Sequence, residues 1–238
     1  MNTNKTSAPD ASSSVSADVV VRRLGRCAYA PAMQAMQAFA TERTQDTVDE
    51  LWIVEHEPVY TVGLKLSSRS FTPIAGIPVV NTDRGGDITY HGPGQVVVYL
   101  MIDLARRRLG IKALVRTIEQ AVLNLLAHYG VTAERRPGAP GVYVGAAKIA
   151  ALGLRVRNGT TYHGVAFNVD MDLDPFRVID PCGYPGLAVT QLGEWAVAPD
   201  VWSVGDALVD ELKKLLGYNA ASKSGSGDTQ TRPTKVHG

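Results

Sequence analysis

The sequence predicts an α+β fold, in which a mixed β-sheet packs against helices on one side. Strand-like segments outnumber helical ones, many connections between them are short, and no internal repeat or linker interrupts them. A chain of 238 residues is long enough to bury the core of one large domain. We expect that domain at 18–218, between tails at 1–17 and 219–238 that are predicted to be disordered.

The first half of the domain is predicted to consist mainly of strands. The apolar stretch at 18–25 predicts a strand, and helical spacing of apolar residues predicts a helix at 31–44. Residues 50–63 predict two short strands separated at Pro58, which lacks a backbone donor. The continuous apolar run at 94–104 is typical of a strand buried on both faces.

The second half begins with the clearest helical pattern in the chain. Apolar residues recur at helical spacing over 111–129, and Gly130 supplies the stop signal. Alternating apolar and small or polar residues follow, and they predict a β meander in which Asn158 and Gly159 form a hairpin turn. A further amphipathic pattern predicts a last helix at 200–216.

Composition and charge exclude several classes of protein. The formal net charge of +1 gives no field that would attract nucleic acid or a membrane surface. The start of the chain lacks the pattern of a secretory signal, and no run of about 18 apolar residues predicts a membrane span. Two cysteines form no disulfide framework and fit a reducing compartment. We therefore expect a cytoplasmic protein that binds neither nucleic acid nor a membrane.

A glycine-rich stretch, RGGDITYHGPGQ at 84–95, is the first candidate for a binding site. Glycines allow a backbone to approach a ligand closely and expose its N–H groups. The alternative is a hairpin loop that leads into the buried strand. The stretch matches neither the GxGxxG pattern before a helix nor the Gly-Lys-Ser/Thr ending of a phosphate loop, which argues against nucleotide binding.

Lys148 is the second candidate, because its neighbours are small or apolar. The flanking alanines and Ile149 predict partial burial, where an ammonium needs a partner or a lowered pKa. The alternative is an ordinary charge on an edge strand, where lysine opposes aggregation. His56 and His163 lie in strand-like segments, and histidines there are more often structural than catalytic.

Cys182 lies between two prolines and directly before a glycine, in the sequence IDPCGYPG. These residues disfavour helix and strand, so the thiol is predicted to lie on a loop. A nucleophilic cysteine needs a thiolate, and therefore a positive neighbour or a base; Lys148, His91 and His163 are candidates. A protease triad with His163 and Asn168 can be drawn, although neither local protease signature surrounds the cysteine.

Together these stretches resemble the lipoyl(octanoyl) transferase family. The matching sequences are RGGDITYHGPGQ, KIAALGLRVRNGTTYHGVAFNV and DPFRVIDPCGYPG, with EHEPVYTVG upstream. The resemblance covers residues 18–216 and implies the fold of biotin and lipoate protein ligase catalytic domains. It implies that Cys182 is the acyl-accepting cysteine and that Lys148 is its partner lysine.

The resemblance also implies three substrate-binding stretches. Their residues are Arg84, Gly85, Gly86, Asp87, Ile88, Thr89, Tyr90 and His91; Ala151, Leu152 and Gly153; and Gly164, Val165 and Ala166. Family members often carry serine where Ala151 stands, so a hydroxyl at that position is missing here.

The implied reaction moves an octanoyl or lipoyl group during lipoate biosynthesis. The donor would be octanoyl-acyl carrier protein, and the acceptors would be apo lipoyl domains of 2-oxoacid dehydrogenase E2 subunits and the glycine cleavage H protein. Because the donor is already a thioester, exchange onto Cys182 is nearly even in energy and aminolysis is downhill, so no ATP, cofactor or metal is implied. Ammonium at Lys148 would favour the thiolate, and neutral Lys148 would accept a proton from the incoming lysine. We expect a monomer.

Three other functions fit parts of the sequence. An ATP-dependent lipoate or biotin ligase shares the implied fold and would not need Cys182. A thiol hydrolase would pass the acyl group to water, and a non-catalytic acyl-binding module would form no covalent adduct. Separately, five arginines predict either a basic docking patch for an acidic carrier protein or a solvated helix end and turn: Arg106, Arg107, Arg108, Arg135 and Arg136.

Overall fold

The computed structural model describes residues 18–66, 68–69, 71–179, 187–197 and 200–219. The tails predicted to be disordered lie outside these ranges, apart from Asn219, and so does Cys182. None of the described helices is both long enough and apolar enough to cross a membrane.

The described residues form strands and helices in the predicted order. The strands are β1 (Val19–Cys27), β2 (Asp49–His56), β3 (Val59–Val62), β4 (Val79–Asn81), β5 (Ile88–His91), β6 (Gln95–Met101), β7 (Glu134–Arg136), β8 (Ala139–Val144), β9 (Ala147–Arg157) and β10 (Thr160–Asn168). The helices are α1 (Tyr29–Glu42), α2 (Ile111–His128) and α3 (Val201–Leu216). These bounds confirm the predicted helices to within about two residues at each end.

The main sheet contains seven strands in the order β1-β2-β6-β10-β9-β8-β7. Only the β1–β2 pair is parallel, so the sheet is mixed, as predicted. The hairpin between β9 and β10 turns at Asn158 and Gly159, whose φ values of 50° and 77° suit a two-residue turn. A second sheet, in the order β4-β3-β5, carries part of the glycine-rich stretch.

The helices cover both faces of the main sheet, which corrects the prediction that they pack on one side. Leu51 and Ile53 of β2 belong to the core beneath α2 and α3, whereas Trp52 and Val54 belong to the core beneath α1. Successive side chains of a strand point to opposite faces, and β2 is buried along its whole length. A sheet that is buried on both faces needs a covering layer on each face, and the predicted arrangement supplied only one.

Candidate active site

A cavity lies on the face of the main sheet that α1 covers, with about 500 Å³ of empty space that includes open solvent. Val97 and Tyr99 of β6 and Ala166 of β10 line it, and all three also belong to the core beneath α1. The glycine-rich stretch, the middle of β9, Tyr29 and His163 form the rest of its wall.

Most residues of the three predicted substrate-binding stretches line this cavity. They are Arg84, Gly86, Asp87, Ile88, Thr89, His91, Ala151, Leu152, Gly153, Gly164, Val165 and Ala166. Gly85 lines a neighbouring groove, and Tyr90 packs against Tyr60 and Phe176 at ring-centre distances of 5.4 and 5.5 Å. The fold thus brings three separate stretches of the chain to one cavity, and their role in binding stays a prediction.

Arg84 builds the wall of the cavity through its hydrogen bonds to the backbone. Its guanidinium donates to the carbonyl oxygens of Thr61 and Asp87 at 2.6 and 2.8 Å, and the residue is 8% exposed. A Cβ on Gly153 would lie 3.1 Å from both the Cδ of Arg84 and the carbonyl oxygen of Gly85. Glycine therefore allows β9 and the glycine-rich stretch to approach closely here.

Lys148 is buried on β9, at 4% exposure, as its apolar flanks predicted. Its backbone N–H donates to the carbonyl of Ala188 at 2.8 Å, and its carbonyl accepts from the N–H of Thr190 at 3.0 Å. Its ammonium donates to the carbonyl of Pro140 at 3.2 Å and lies 5.2 Å from the ring centre of Tyr143. These contacts fix both the backbone and the charged end of the side chain.

Gly141 leaves the space that the side chain of Lys148 occupies. A Cβ on Gly141 would lie 2.7 Å from the carbonyl oxygen of Ala150 and 3.0 Å from Cε of Lys148, and its φ is 136°. Glu119 of α2 holds this part of β8, because its Oε1 accepts from the N–H of Gly141 at 3.0 Å. Glycine is required here for its conformation and for the room it leaves.

Lys148 lies beside the cavity and borders two other spaces. A groove with about 920 Å³ of empty volume, which includes open solvent, extends from Lys148 to residues 138–140 and the start of α2. The groove meets the main cavity at residues 86–87 and 152–153, which line both. A small, nearly filled space separates Lys148 from Thr89 and Ala151, which line the main cavity.

Cys182, the predicted acyl acceptor, lies outside the described residues, so its distance from Lys148 stays a prediction. The described residues on either side of this stretch, Ile179 and Leu187, line one common space together with Phe176. The chain leading away from it is fixed to Lys148 through the backbone bonds at residues 188 and 190.

Three histidines, His56, His91 and His163, are buried in and beside the cavity. Burial lowers the pKa of His56 to about 4 and that of His91 to about 3, and it also lowers the pKa of His163. All three are therefore neutral near pH 7. A neutral imidazole does not supply the positive charge that stabilises a thiolate, which favours the buried lysine for that role.

A hydrogen-bonded set that the sequence did not reveal lies beside the cavity: Asp83, His163 and Tyr29. His163 Nε2 lies 2.9 Å from Oδ1 of Asp83, and its Nδ1 lies 3.4 Å from the Tyr29 hydroxyl. Burial would raise the pKa of Asp83, but hydrogen bonds from His163 and Tyr162 outweigh it and hold that pKa well below its usual range. The position of Asp83 directly before the glycine-rich stretch could have marked it as a site residue. No local pattern could have marked Tyr29, because it lies 134 positions from His163.

A second chain of hydrogen bonds joins the cavity to Lys148. His91 Nδ1 lies 2.7 Å from Oε1 of Gln95, whose amide nitrogen donates to Oδ1 of Asn168 at 2.9 Å. Asn168 in turn donates to the carbonyl of Thr190 at 2.9 Å. Asn168 is thus committed to this chain and His163 to Asp83, so the protease triad drawn from the sequence is wrong.

Arg106 and Arg107 do not direct their charges towards a docking partner. Their guanidinium nitrogens lie 2.5 and 3.2 Å from the carboxylate of Asp49, which is 1% exposed. Arg107 also stacks on the ring of Tyr218 at 3.6 Å. Of the three consecutive arginines, Arg108 alone is exposed, so the predicted patch is wrong for two of them.

Arg135 and Arg136, the other members of the predicted patch, are partly exposed. Arg135 pairs with Glu119 at 3.4 Å, and Arg136 lies over the ring of Tyr143 at 4.4 Å. Their contribution to a docking surface stays a prediction.

The sequence matches known families over this whole region. Residues 28–213 match the family described as Lipoyl protein ligase A/B catalytic domain. The chain is 56% identical over 197 residues to an octanoyltransferase of Dechloromonas aromatica, which covers 83% of this chain and 96% of the relative. The chain belongs to the lipoyl(octanoyl) transferase family. Membership makes it an acyltransferase, as the quoted motifs predicted.

Solved structures confirm the predicted ligase-like fold. A lipoate-protein ligase A bound with ATP aligns with a TM-score of 0.67 at 17% identity, over 84% of this chain and 85% of that one. A bipartite lipoate protein ligase from Thermoplasma acidophilum, described with its E2 lipoyl domain, also has a TM-score of 0.67, at 18% identity over 87% and 86% of the two chains. At these identities the likeness shows the fold alone, so it does not choose between ligase and transferase chemistry.

Proposed function

We propose that this family member transfers an octanoyl group from octanoyl-acyl carrier protein to a lysine of apo lipoyl domains, through a thioester on Cys182. In the first step the Cys182 thiolate attacks the donor carbonyl, the carrier's C–S bond breaks, and the carrier leaves as a thiol that takes its proton from the Lys148 ammonium, which becomes a neutral amine. In the second step the acceptor amine attacks the new thioester, an amide forms, and the Cys182 thiolate is released.

The observation that carries this proposal is the position of Lys148. It is buried in the wall of the groove, a small space separates it from the cavity, and its backbone bonds to Ala188. Ala188 is six positions after Cys182, a stretch that spans at most about 20 Å. The groove leaves a path for a carrier arm or an acceptor lysine to reach the end of an acyl chain held in the cavity.

Lys148 would serve both steps. Its ammonium near the thiol favours the thiolate, since an opposite charge lowers the pKa of an acid. The proton of the acceptor amine then passes to neutral Lys148 as the amide forms. The thiol and the amine would titrate as a coupled pair, so no separate pKa belongs to either.

The reaction needs no activation by ATP, because the donor enters as a thioester. The relatives that share most of this sequence are named octanoyltransferase, which supports this route over the ligase route. The Thermoplasma acidophilum ligase is described with an E2 lipoyl domain, which supports lipoyl domains as acceptors. We place the reaction in the cytoplasm and assign it to a monomer.

Intact-mass analysis tests the proposal directly. Mixing the protein with octanoyl-acyl carrier protein should add one octanoyl group, and this adduct should be absent in Cys182→Ala. Cys27→Ala is the matched control, because Cys27 is the other cysteine of the chain, and it should keep the adduct. An adduct that survives in Cys182→Ala would contradict the proposed nucleophile.

Lys148 is tested by the rate at which this adduct forms and is consumed. Lys148→Ala should slow acylation and also slow transfer to an apo lipoyl domain, by about 10²-fold or more each. Unchanged rates would remove Lys148 from the mechanism. Modification of the acceptor that requires ATP and free octanoate, and proceeds in Cys182→Ala, would instead support the ligase alternative.

A further inference from the structure

The strand register gives the cavity a direction. On β9, Lys148 precedes Ala151, which pairs with Ala166 of β10. Further along β9, Leu154 pairs with His163. The end of the cavity at Ala151 is therefore nearer to Lys148, and the end at His163 is farther from it.

Aromatic and imidazole rings close this far end. Tyr29, Tyr99 and His163 all line the cavity and are each at most 3% exposed. Tyr29 belongs to the first turn of α1, and its ring stacks on His91 at 5.7 Å with an angle of 11° between the planes. The cavity therefore ends at buried rings.

Hydrogen bonds hold the ring of Tyr29 in this place. The neutral His163 donates from Nε2 to Asp83 and accepts at Nδ1 from the Tyr29 hydroxyl. Asp83 also accepts from Gln37 of α1 at 3.3 Å, so the same carboxylate joins this helix to β10. His163 itself has a φ of 59°, a left-handed conformation that a non-glycine residue adopts at a cost.

The length of the cavity suits a medium acyl chain. From Ala151 to Leu154, the partner of His163, β9 advances three residues, or about 10 Å. An extended eight-carbon chain with seven C–C bonds is about 9 Å long. A chain whose carbonyl lies beside Ala151, at the end of the cavity nearer to Lys148, would bring its last carbons to the level of His163 and Tyr29.

We propose that Tyr29, positioned by His163 and Asp83, is the stop that limits the length of the acyl chain. This inference rests on the proposed function, since it assumes that the carbonyl lies at the Ala151 end of the cavity. A chain with two more carbons would have to displace a ring that is packed and hydrogen-bonded. A shorter chain would leave empty apolar space and lose burial.

The test compares substitutions of Tyr29 with hexanoyl, octanoyl, decanoyl and dodecanoyl carrier protein as donors. Tyr29→Ala should raise the decanoyl-to-octanoyl ratio of kcat/KM about tenfold or more, because the space of the ring becomes available. Tyr29→Trp should shift the preference the other way, towards hexanoyl. Tyr29→Phe is the matched variant that keeps the ring but loses the hydroxyl bond to His163, so its ratio should rise clearly less than that of Tyr29→Ala, by about two- to threefold.

If folded Tyr29→Ala keeps the decanoyl-to-octanoyl ratio of the parent protein, Tyr29 does not limit the chain length. If the alanine variant does not fold, an unchanged chain-length preference in Tyr29→Trp leads to the same conclusion. Acylation of Cys182 is followed by mass in the same reactions. If the parent protein accepts no acyl group from any donor, the proposed function fails and the inference falls with it. If the parent protein is acylated while Tyr29→Ala and Tyr29→Trp keep the chain-length preference of the parent, only the proposed role of Tyr29 is wrong.

Discussion

Two carboxylates, the buried Asp49 and the half-buried Asp83, organise different regions of this molecule. Asp49 is surrounded by three arginines, Arg43, Arg106 and Arg107. It also accepts from the Tyr218 hydroxyl at 2.9 Å. The described partners of Asp83 are instead uncharged: the imidazole of His163, the hydroxyl of Tyr162 and the amide of Gln37.

The difference follows from what each carboxylate connects. Asp49 joins the end of α1, the segment after β6 and residue 218, which are far apart in the sequence, and charge-assisted bonds suit this fastening role. Asp83 orients neutral rings beside the cavity, whose lining is mostly apolar, so that an unpaired charge there would be costly. One region therefore secures the fold, and the other gives the cavity its shape.

The largest expected effect comes from neutralising the first carboxylate. Asp49→Asn should lower the free energy of unfolding by about 3–5 kcal/mol, because it leaves three arginines without their shared anion. Urea unfolding measures this, and Asp46→Asn is the control, since Asp46 is exposed in the loop before β2. Equal effects of the two substitutions would remove the distinction drawn for Asp49.

The consecutive residues Arg107 and Arg108 should also differ in how much each stabilises the fold. Arg107→Ala should cost about 2 kcal/mol of unfolding free energy, through lost pairing and lost stacking on Tyr218, whereas Arg108→Ala should cost less than about 0.5 kcal/mol. Urea unfolding of both variants checks this order. A raised KM for the carrier-bound donor in Arg108→Glu, with stability unchanged, would support a docking role for that exposed residue.

Acid should weaken the cavity region before the Asp49 region. An unfolded imidazole has a pKa near 6.5, while burial lowers the folded pKa to about 4 for His56 and about 3 for His91. As the pH falls from about 6.5 to 4, the unfolded chain binds protons that the folded protein excludes, so stability falls by about 1.4 kcal/mol per pH unit for each histidine.

Unfolding measured from pH 7 to 4 checks this slope. His91→Gln should make it less steep, because the contribution of His56 remains. Asp49 acts later: burial alone would raise its pKa, but its hydrogen bonds and arginines hold the folded pKa below the usual value. Its contribution is therefore complete above about pH 4 and is lost only below that. A flat stability curve between pH 6.5 and 4 would contradict the assignment of neutral buried histidines.

The smallest expected effect comes from the same chemical change in the second region. Asp83→Asn keeps an oxygen that accepts from His163, so it should cost about 1 kcal/mol of unfolding free energy. Its effect should appear instead in a broader acyl-length profile, because Tyr29 is held less firmly. A loss of stability as large as that of Asp49→Asn would show that both carboxylates secure the fold.

Local sequence patterns were enough to predict most of the fold. The apolar run in β6 and the helical spacing in α2 predicted their elements, because burial repeats with the period of each element. The side of the sheet on which each helix packs was predicted wrongly, since that depends on tertiary packing. Sequence motifs also identified most of the residues that line the cavity. The apolar neighbours of Lys148 predicted that it is buried.

The two carboxylate regions were not predicted, for a physical reason. Asp49 and Tyr218 are 169 positions apart, and His163 and Tyr29 are 134 apart. Such contacts arise only after distant strands and helices have packed, and neither periodicity nor a short motif records them. The arginines illustrate this limit, because three in a row suggested a surface patch while two of them turn inward.

The placement of α1 has a consequence for how this enzyme can change over evolutionary time. Tyr29 is carried by a helix on one face of the sheet, while the large aliphatic core lies on the other face beneath α2 and α3. Substitutions at the start of α1 can therefore alter which acyl chains fit with little disturbance of that core. If Tyr29 is the stop, a change of chain-length preference would draw on the packing beneath α1 and would leave the larger core beneath α2 and α3 in place.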